Sequence, residues 1–280
     1  MDQFSMWDST PASLIEKKIE STNCPIHYWI NSAKTHAPTL VMLHGATMDH
    51  RMFNAQVPAL QQDYNIIAWD ARGHGKSRPL TGNFILQDCA ADLMTVLKEE
   101  KVSKVILVGQ SMGGYIAQFF YLLYPDWVRA LAIIGSTSIA FAYPKWQIWA
   151  LKASLSLFNL WPYQHFTKTV ATSTALNPAV RKYALEVIRS LDRQTFQKIW
   201  EAVTVAVNET GIPGHRINVP LLITHGDRDN TGVIRKQAPT WVKYEPDVTY
   251  TVIPDASHNA NQDNPDYFNQ ILINFLTKIT

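Results

Sequence analysis

A chain of 280 residues with 46% hydrophobic and 17% charged side chains can bury one large core or two small ones, and it is too apolar to be disordered or fibrous. Its 25 Lys and Arg against 23 Asp and Glu leave a formal charge of +2 with no basic run or stripe, which excludes the electrostatic footprint of nucleic-acid binding. No stretch reaches the roughly 18 uncharged apolar residues of a spanning helix, and Met1-Asp2-Gln3-Phe4 lacks the basic and apolar regions of a secretory signal, so a cytoplasmic protein without stable membrane insertion is expected.

In chain order, residues 13–20 and 25–30 read as a hairpin leading into a sheet. The branched apolar runs 40–43, 66–69, 105–108 and 131–134 read as buried strands. Between them, residues 51–61, 86–98 and 112–124 have the length and spacing of helices. That alternation predicts an α/β fold with a mostly parallel sheet covered on both faces. From 136 to 218 the rhythm breaks. No strand is evident there, and residues 146–160, 163–173, 178–190 and 195–207 read as helices of an insertion. Gly211, Pro213 and Gly214 punctuate the return to strands at 221–224 and 249–253. Cys24 and Cys89 form no CxxC and are expected as free thiols.

The chemistry concentrates at Gly109-Gln110-Ser111-Met112-Gly113-Gly114, directly after one strand and directly before a helical pattern. A strand turning abruptly into a helix strains its central residue and pushes that side chain out of the sheet edge. Small residues two before and two after are needed because the turn brings the strand and helix backbones together, and Gly109 and Gly113 meet that need. Ser111 is thereby a candidate nucleophile. As a neutral hydroxyl it attacks poorly and needs a base to take its proton. The Met112 backbone N–H, at the helix start, can supply one donor for an oxyanion.

Other segments extend the pattern along most of the chain. His44-Gly45 follows the run 40–43, Asp70-Ala71-Arg72-Gly73-His74-Gly75-Lys76-Ser77 follows 66–69, His225-Gly226-Asp227-Arg228-Asp229 follows 221–224, and Pro254-Asp255-Ala256-Ser257-His258 follows the last strand. With the Ser111 turn they resemble the α/β-hydrolase superfamily. The resemblance implies an eight-stranded, mostly parallel sheet flanked by helices, with a core of residues 1–135 and 219–280 and a helical cap of 136–218. It implies Ser111 as nucleophile, His258 as base and Asp229 as the acid that orients it, in the Ser, acid, His order of the fold. The second oxyanion donor is then the Ala46 backbone N–H. Family members that place their acid after the strand preceding the cap need a carboxylate there, and Gly135-Ser136-Thr137-Ser138 offers none. Asp227 stays as the rival to Asp229.

Of the nine histidines, His44 and His74 fall in loop motifs that resemble structural elements, and His225 at a strand end reads as packing. HExxH, zinc-spaced Cys and His, and Walker or dinucleotide fingerprints are missing, so neither metal nor cofactor is expected. Haloalkane dehalogenases and epoxide hydrolases of this fold would carry Asp where Ser111 stands. The insertion is rich in rings, among them Phe141, Tyr143, Trp146, Trp149, Phe158, Trp161, Tyr163, Phe166 and Trp200. Most such rings simply pack, but those facing a cavity would favour apolar groups, and Trp149 and Trp161 are the candidate pocket walls. The expected substrate is a small carboxylic ester or lactone with an apolar acyl or aromatic portion, cleaved through an acyl-enzyme. A C–C bond hydrolase, and a non-hydrolytic small-molecule receptor or cofactor-free lyase, are the alternatives.

Overall fold

The computed structural model describes residues 5–31, 34–146, 148–150, 153, 161–206 and 211–279. Strands β1 (Ile15–Ser21) and β2 (Cys24–Ile30) form the expected hairpin, with Ser21 opposite Cys24 and Asn23 in the left-handed region at the turn. They are followed by β3 (Thr39–Leu43), β4 (Asn65–Trp69), β5 (Val105–Gln110), β6 (Val128–Ile134), β7 (Leu221–Gly226) and β8 (Val248–Ile253). The eight strands lie in the order β1-β2-β4-β3-β5-β6-β7-β8. β2 runs antiparallel to β1 and β4, and every other pair is parallel. After β3 the chain first builds β4 on one side and then returns to place β5 on the other. That reversal opens a crevice beyond the carboxyl ends of β3 and β5, the natural ligand position in an open α/β sheet.

Both faces of the central strands are covered, as near-continuous apolar strands require, while β1 at the edge stays largely exposed. All five residues of β3 are buried. Val41 and Leu43 join Leu107 and the helices α2 (Leu86–Glu99) and α3 (Met112–Leu123) in one core, while Leu40 and Met42 join Ile106 and Val108 in the other. Each such side chain contributes roughly 1.5–3 kcal/mol on full burial. Cys24 and Cys89 are buried free thiols. Among the described residues no helix is long and apolar enough to cross a membrane.

The helix expected over 51–61 is broken into a 3-10 turn at His50–Phe53 and a short helix α1 (Gln56–Leu60). Pro58 has no N–H to offer the Asn54 carbonyl, so one helix cannot run through. Between β6 and β7 come α4 (Tyr163–Thr174), α5 (Pro178–Ser190) and α6 (Arg193–Ala206). Of the helix expected over 146–160, residues 146, 148–150 and 153 are helical, and the remainder, with Phe158, lies outside the described residues, as does Val207. Three helices not anticipated from the pattern complete the chain: α7 (Ile234–Tyr244), α8 (Ala260–Asp263) and α9 (Pro265–Leu276). α9 puts Phe268 and Leu272 into the second core, together with Val180, Ala184, Val187 and Ile188 of α5.

The turn from β5 into α3 depends on glycine. A Cβ on Gly113 would stand 1.9 Å from the Leu43 carbonyl oxygen, and one on Gly109 would stand 2.4 Å from the Gly113 oxygen. Both obstacles are backbone, which cannot step aside. Gly113→Ala is therefore expected to destabilise the fold by about 3 kcal/mol, the upper end of overpacking costs, read from the urea unfolding midpoint. An unchanged midpoint would show that β3 and α3 are not in this contact.

Candidate active site

Ser111 lies between the last residue of β5 and the first of α3, with φ 50° and ψ −113°. A non-glycine residue in that region is strained and persists only where its surroundings over-determine it. They do so here. The Ser111 N–H donates to the Ile134 carbonyl (2.8 Å), and the Ser111 carbonyl accepts from Gly114 and Tyr115 (2.9 and 3.2 Å). The hydroxyl is thereby carried above the sheet edge, where it meets His258.

The imidazole Nε2 of His258 lies 2.9 Å from Ser111 Oγ, and its Nδ1 lies 3.0 Å from Asp229 Oδ2. A carboxylate can only accept, so Nδ1 carries the proton and Nε2 presents its lone pair to the hydroxyl. Asp229 Oδ1 accepts from the Thr231 N–H (2.8 Å). Burial pushes the Asp229 carboxyl up, but the facing His258 and the Thr231 hydrogen bonds outweigh it and hold the group below the usual carboxylate range. Gly135, at φ 56°, closes the floor. A Cβ there would come within 3.3 Å of His258 Nδ1 and 3.4 Å of Asp229 Oδ2. Asp227 takes no part in this contact: its Oδ1 accepts from the Ala256 N–H (3.0 Å) and joins the ends of β7 and β8.

Met112 follows Ser111 in the chain and Gly45 lies against it, a Cβ on Gly45 standing 3.5 Å from Ser111 Cβ, and among the described residues neither the Ala46 nor the Met112 N–H has a protein acceptor. The direction of the Ala46 N–H is set indirectly. His44 Nδ1–H donates to the Gly45 carbonyl (2.8 Å), which also accepts from the Met48 N–H (3.2 Å). In a planar trans peptide, fixing the Gly45 C=O fixes the Ala46 N–H on the opposite side. His44 Nε2 accepts from the Ala71 N–H (3.0 Å), a bond that needs a neutral ring, and burial supplies one by lowering its pKa.

The 70–77 turn supports the same loop a second time. Asp70 Oδ1 accepts from the His50 backbone N–H and from His50 Nδ1–H (both 2.8 Å), and Oδ2 accepts from the Lys76 N–H (2.7 Å). Burial would raise the Asp70 carboxyl, and His50 brings it down on balance. His225 donates from Nδ1 to the Gly226 carbonyl and accepts at Nε2 from the Tyr250 hydroxyl, each at 2.8 Å, which fixes the end of β7.

The family model described as alpha/beta hydrolase fold matches residues 38–265, most of the chain. The chain belongs to the α/β-hydrolase fold family. It is 22% identical over 288 residues to human epoxide hydrolase 4, covering 94% of this chain and 78% of that protein. It is 23% identical over 244 residues to 3-oxoadipate enol-lactonase 1 of Acinetobacter baylyi, covering 87% and 90%. Among solved structures, the enol-lactonase from Burkholderia xenovorans LB400 superposes with a TM-score of 0.80 at 21% identity, covering 93% of this chain and all of that one.

In this α/β-hydrolase chain the two candidate pocket walls do not sit as expected. Trp149 is 72% exposed and stands largely in solvent, and Trp161, 45% exposed, leans on Phe166 (6.3 Å between ring centroids). The spacing that placed Trp149 on a helix could not say which face looked inward. Within the insertion Phe166 packs against Phe196 (5.0 Å between centroids), Phe196 stacks on Trp200 (6.0 Å) and Tyr163 meets Phe196 edge-on (6.5 Å). A cavity of about 460 Å³ lies between α2, α3 and α6, walled by Phe84, Phe119, Ile139, Phe141 and Val205. Ser111, Asp229 and His258 do not line it. The supporting polar residues His50 and Tyr183 carried no signal in the sequence. Tyr183 reaches Asp49 of the Ala46 loop from α5 (hydroxyl to Oδ1, 3.0 Å), 134 residues away.

His74 packs against His44, 4.9 Å between ring centroids, and burial brings its pKa down from the ordinary 6.5 to about 3. Below pH 6.5 the unfolded chain takes up a proton that the folded chain refuses until about pH 3, so stability falls as pH drops through that window. At pH 5 the effect of this one ring is about 2 kcal/mol. His74→Gln should make the loss of stability between pH 8 and pH 5 smaller than in the parent, by denaturant titration at both values. An identical loss in both proteins would mean that His74 is not held neutral.

Proposed function

We propose that this protein is a serine hydrolase that cleaves a carboxylic ester or lactone with an apolar acyl or aromatic portion through an acyl-enzyme on Ser111. The observation that carries the reading is the continuous relay of Ser111 Oγ, His258 and Asp229, at 2.9 and 3.0 Å, beneath two free amide donors. Residues 1–135 and 219–280 serve as the catalytic core and 136–218 as its helical cap.

Ser111 Oγ attacks the substrate carbonyl carbon while its proton passes to His258 Nε2. The carbonyl electron pair moves onto oxygen, and the Ala46 and Met112 N–H groups receive that charge with no reorganisation. Asp229 stabilises the imidazolium without taking its proton. His258 then protonates the departing alkoxide, the C–O bond breaks and the acyl group stays on Ser111. In a lactone the alkoxide remains tethered to the acyl chain. Water repeats the sequence: His258 takes one proton from it, the hydroxyl adds to the acyl carbon, and Ser111 leaves with the proton returned.

Two features favour carbonyl chemistry over the ring opening named for the human relative. Ser stands where an epoxide hydrolase of this fold is expected to carry Asp, and the similar proteins of two bacteria are lactonases by name.

A fluorophosphonate probe followed by a panel of p-nitrophenyl esters, an aromatic lactone and a vinylogous diketone tests the reading. The parent should be labelled at Ser111 and turn over esters or the lactone. Labelling without turnover of any of them would point to a receptor. Ser111→Ala should lose labelling and turnover, by a factor on the order of 10⁶, with its melting temperature kept. Activity within tenfold of the parent would remove Ser111 from its role.

The acid is tested by a pair of variants. Asp229→Asn favours the wrong imidazole tautomer and should cost about 10⁴ in turnover. Asp227→Asn should keep most activity and lose about 1 kcal/mol of stability through its weakened bond to the Ala256 N–H. An active Asp229→Asn beside a crippled Asp227→Asn would exchange the two assignments.

A further inference from the structure

The loop that carries His258 is tied to the insertion at several points. The Asn259 N–H donates to the Thr174 carbonyl (2.8 Å), and the Ser257 hydroxyl donates to the Ser173 carbonyl (3.3 Å). The strongest tie is the carboxylate of Asp263, the last residue of α8. Its Oδ2 accepts from the Ser257 N–H (2.8 Å), one residue before His258, and its Oδ1 accepts from the Asn177 N–H (2.9 Å). The Leu176 N–H points between the two oxygens, 2.9 Å from each. One carboxylate thus gathers three backbone donors, from the loop of the candidate base and from the linker that opens α5. Hydrogen bonds to an ionised acceptor are about twice as strong as neutral ones.

The far end of that connection is rigid. Asn177 caps α5 by accepting from the Ala179 N–H (2.9 Å), with Pro178 at the first helical position. Val180, Ala184, Val187 and Ile188 bury the helix in the sheet core, and its Tyr183 hydroxyl contacts Asp49 in the loop that presents the Ala46 amide. The base is held to the start of α5 and the oxyanion loop to its middle.

We propose that Asp263 is a positioning residue that keeps His258 in register with Ser111 by fixing the Ser257 N–H to the start of α5. The inference rests on the hydrolase reading above. Residues 173–190, although part of the insertion in sequence, act as a strut of the catalytic core that sets the spacing between base and oxyanion donors. No other described group takes the Ser257 N–H, so losing the carboxylate releases the loop on the side next to the imidazole.

Asp263→Asn tests this, because an amide must turn its NH₂ toward either Ser257 or the linker, where only donors wait. Turnover is measured per chain labelled to completion by fluorophosphonate, so that misfolded protein is not counted. The expected result is a fall in kcat of about 10²-fold, the scale of an ångström of misplacement, with KM within threefold of the parent. Asp266→Asn, an exposed carboxylate in the first turn of α9, is the control and should match the parent. If Asp263→Asn does not fold, Asp263→Glu, which keeps both acceptors but shifts them by one methylene, carries the same expectation. A kcat per labelled chain within tenfold of the parent, or a loss that appears equally as a rise in KM, would overturn the role. A parent that is neither labelled at Ser111 nor active would instead overturn the hydrolase reading itself.

Discussion

The site hangs on one backbone conformation, that of Ser111. At φ 50° the residue pays a strain of order 1–3 kcal/mol, and it is kept there by the burial of β5 and α3 on either side. β5 cannot leave the sheet because it is hydrogen-bonded to β3 and β6, and α3 cannot lift because Gly113 lies directly on the Leu43 carbonyl. The contact does two things at once. It aims the hydroxyl out of the sheet, and it brings the first turn of α3, with the Met112 N–H, beside the Ala46 loop that leaves β3. The Ser111 turn and the start of the loop after β3 are therefore brought together by one close approach of two backbones.

Around that contact the polar groups are arranged so that each ring has a defined proton. His258 donates to Asp229 and accepts at Nε2, His44 donates to Gly45 and accepts from Ala71, and His225 donates to Gly226 and accepts from Tyr250. Only the first of the three offers its acceptor nitrogen to a side chain on the strained turn. The other two spend both nitrogens on fixing strand ends, which makes the loops after β3 and β7 stiff. Preorganised donors stabilise developing charge better than mobile ones, since nothing needs to reorient at the moment of reaction.

The parts of this arrangement legible in the sequence are those carried by local pattern. The strands at 40–43, 105–108 and 131–134 stand out because both faces are buried and branched apolar residues run without interruption. Gly109 and Gly113 mark the turn because only glycine tolerates the approach. Asp229 and His258 followed from chain order and resemblance, and the structure brings them to Ser111. What stayed hidden depends on long-range contacts. Nothing near Asp263 announces that it will meet Leu176 and Asn177, 87 and 86 residues earlier, and nothing near Tyr183 announces Asp49. α7 was masked by Pro239 inside it, and the exposure of Trp149 by a spacing that does not fix which face of its helix turns inward.

The insertion then reads as two physical parts. α5 shares a core with α9 and the sheet, and the contacts of Asn177 and Tyr183 reach loops beside Ser111, so removing it would expose apolar surface and release those loops together. The rings of Trp146 and Trp149, by contrast, lie largely in solvent and contribute little burial to the fold. Sequence change is tolerated where burial and hydrogen bonding are slight. The consequence is an asymmetry within a single insertion: α5 is constrained to keep its apolar face and its Tyr183, while the exposed Trp146 and Trp149 can vary without disturbing the geometry at Ser111. The placement of Ser111, His258 and the loop after β3 stays where the sheet and the contacts of Asn177 and Tyr183 hold it.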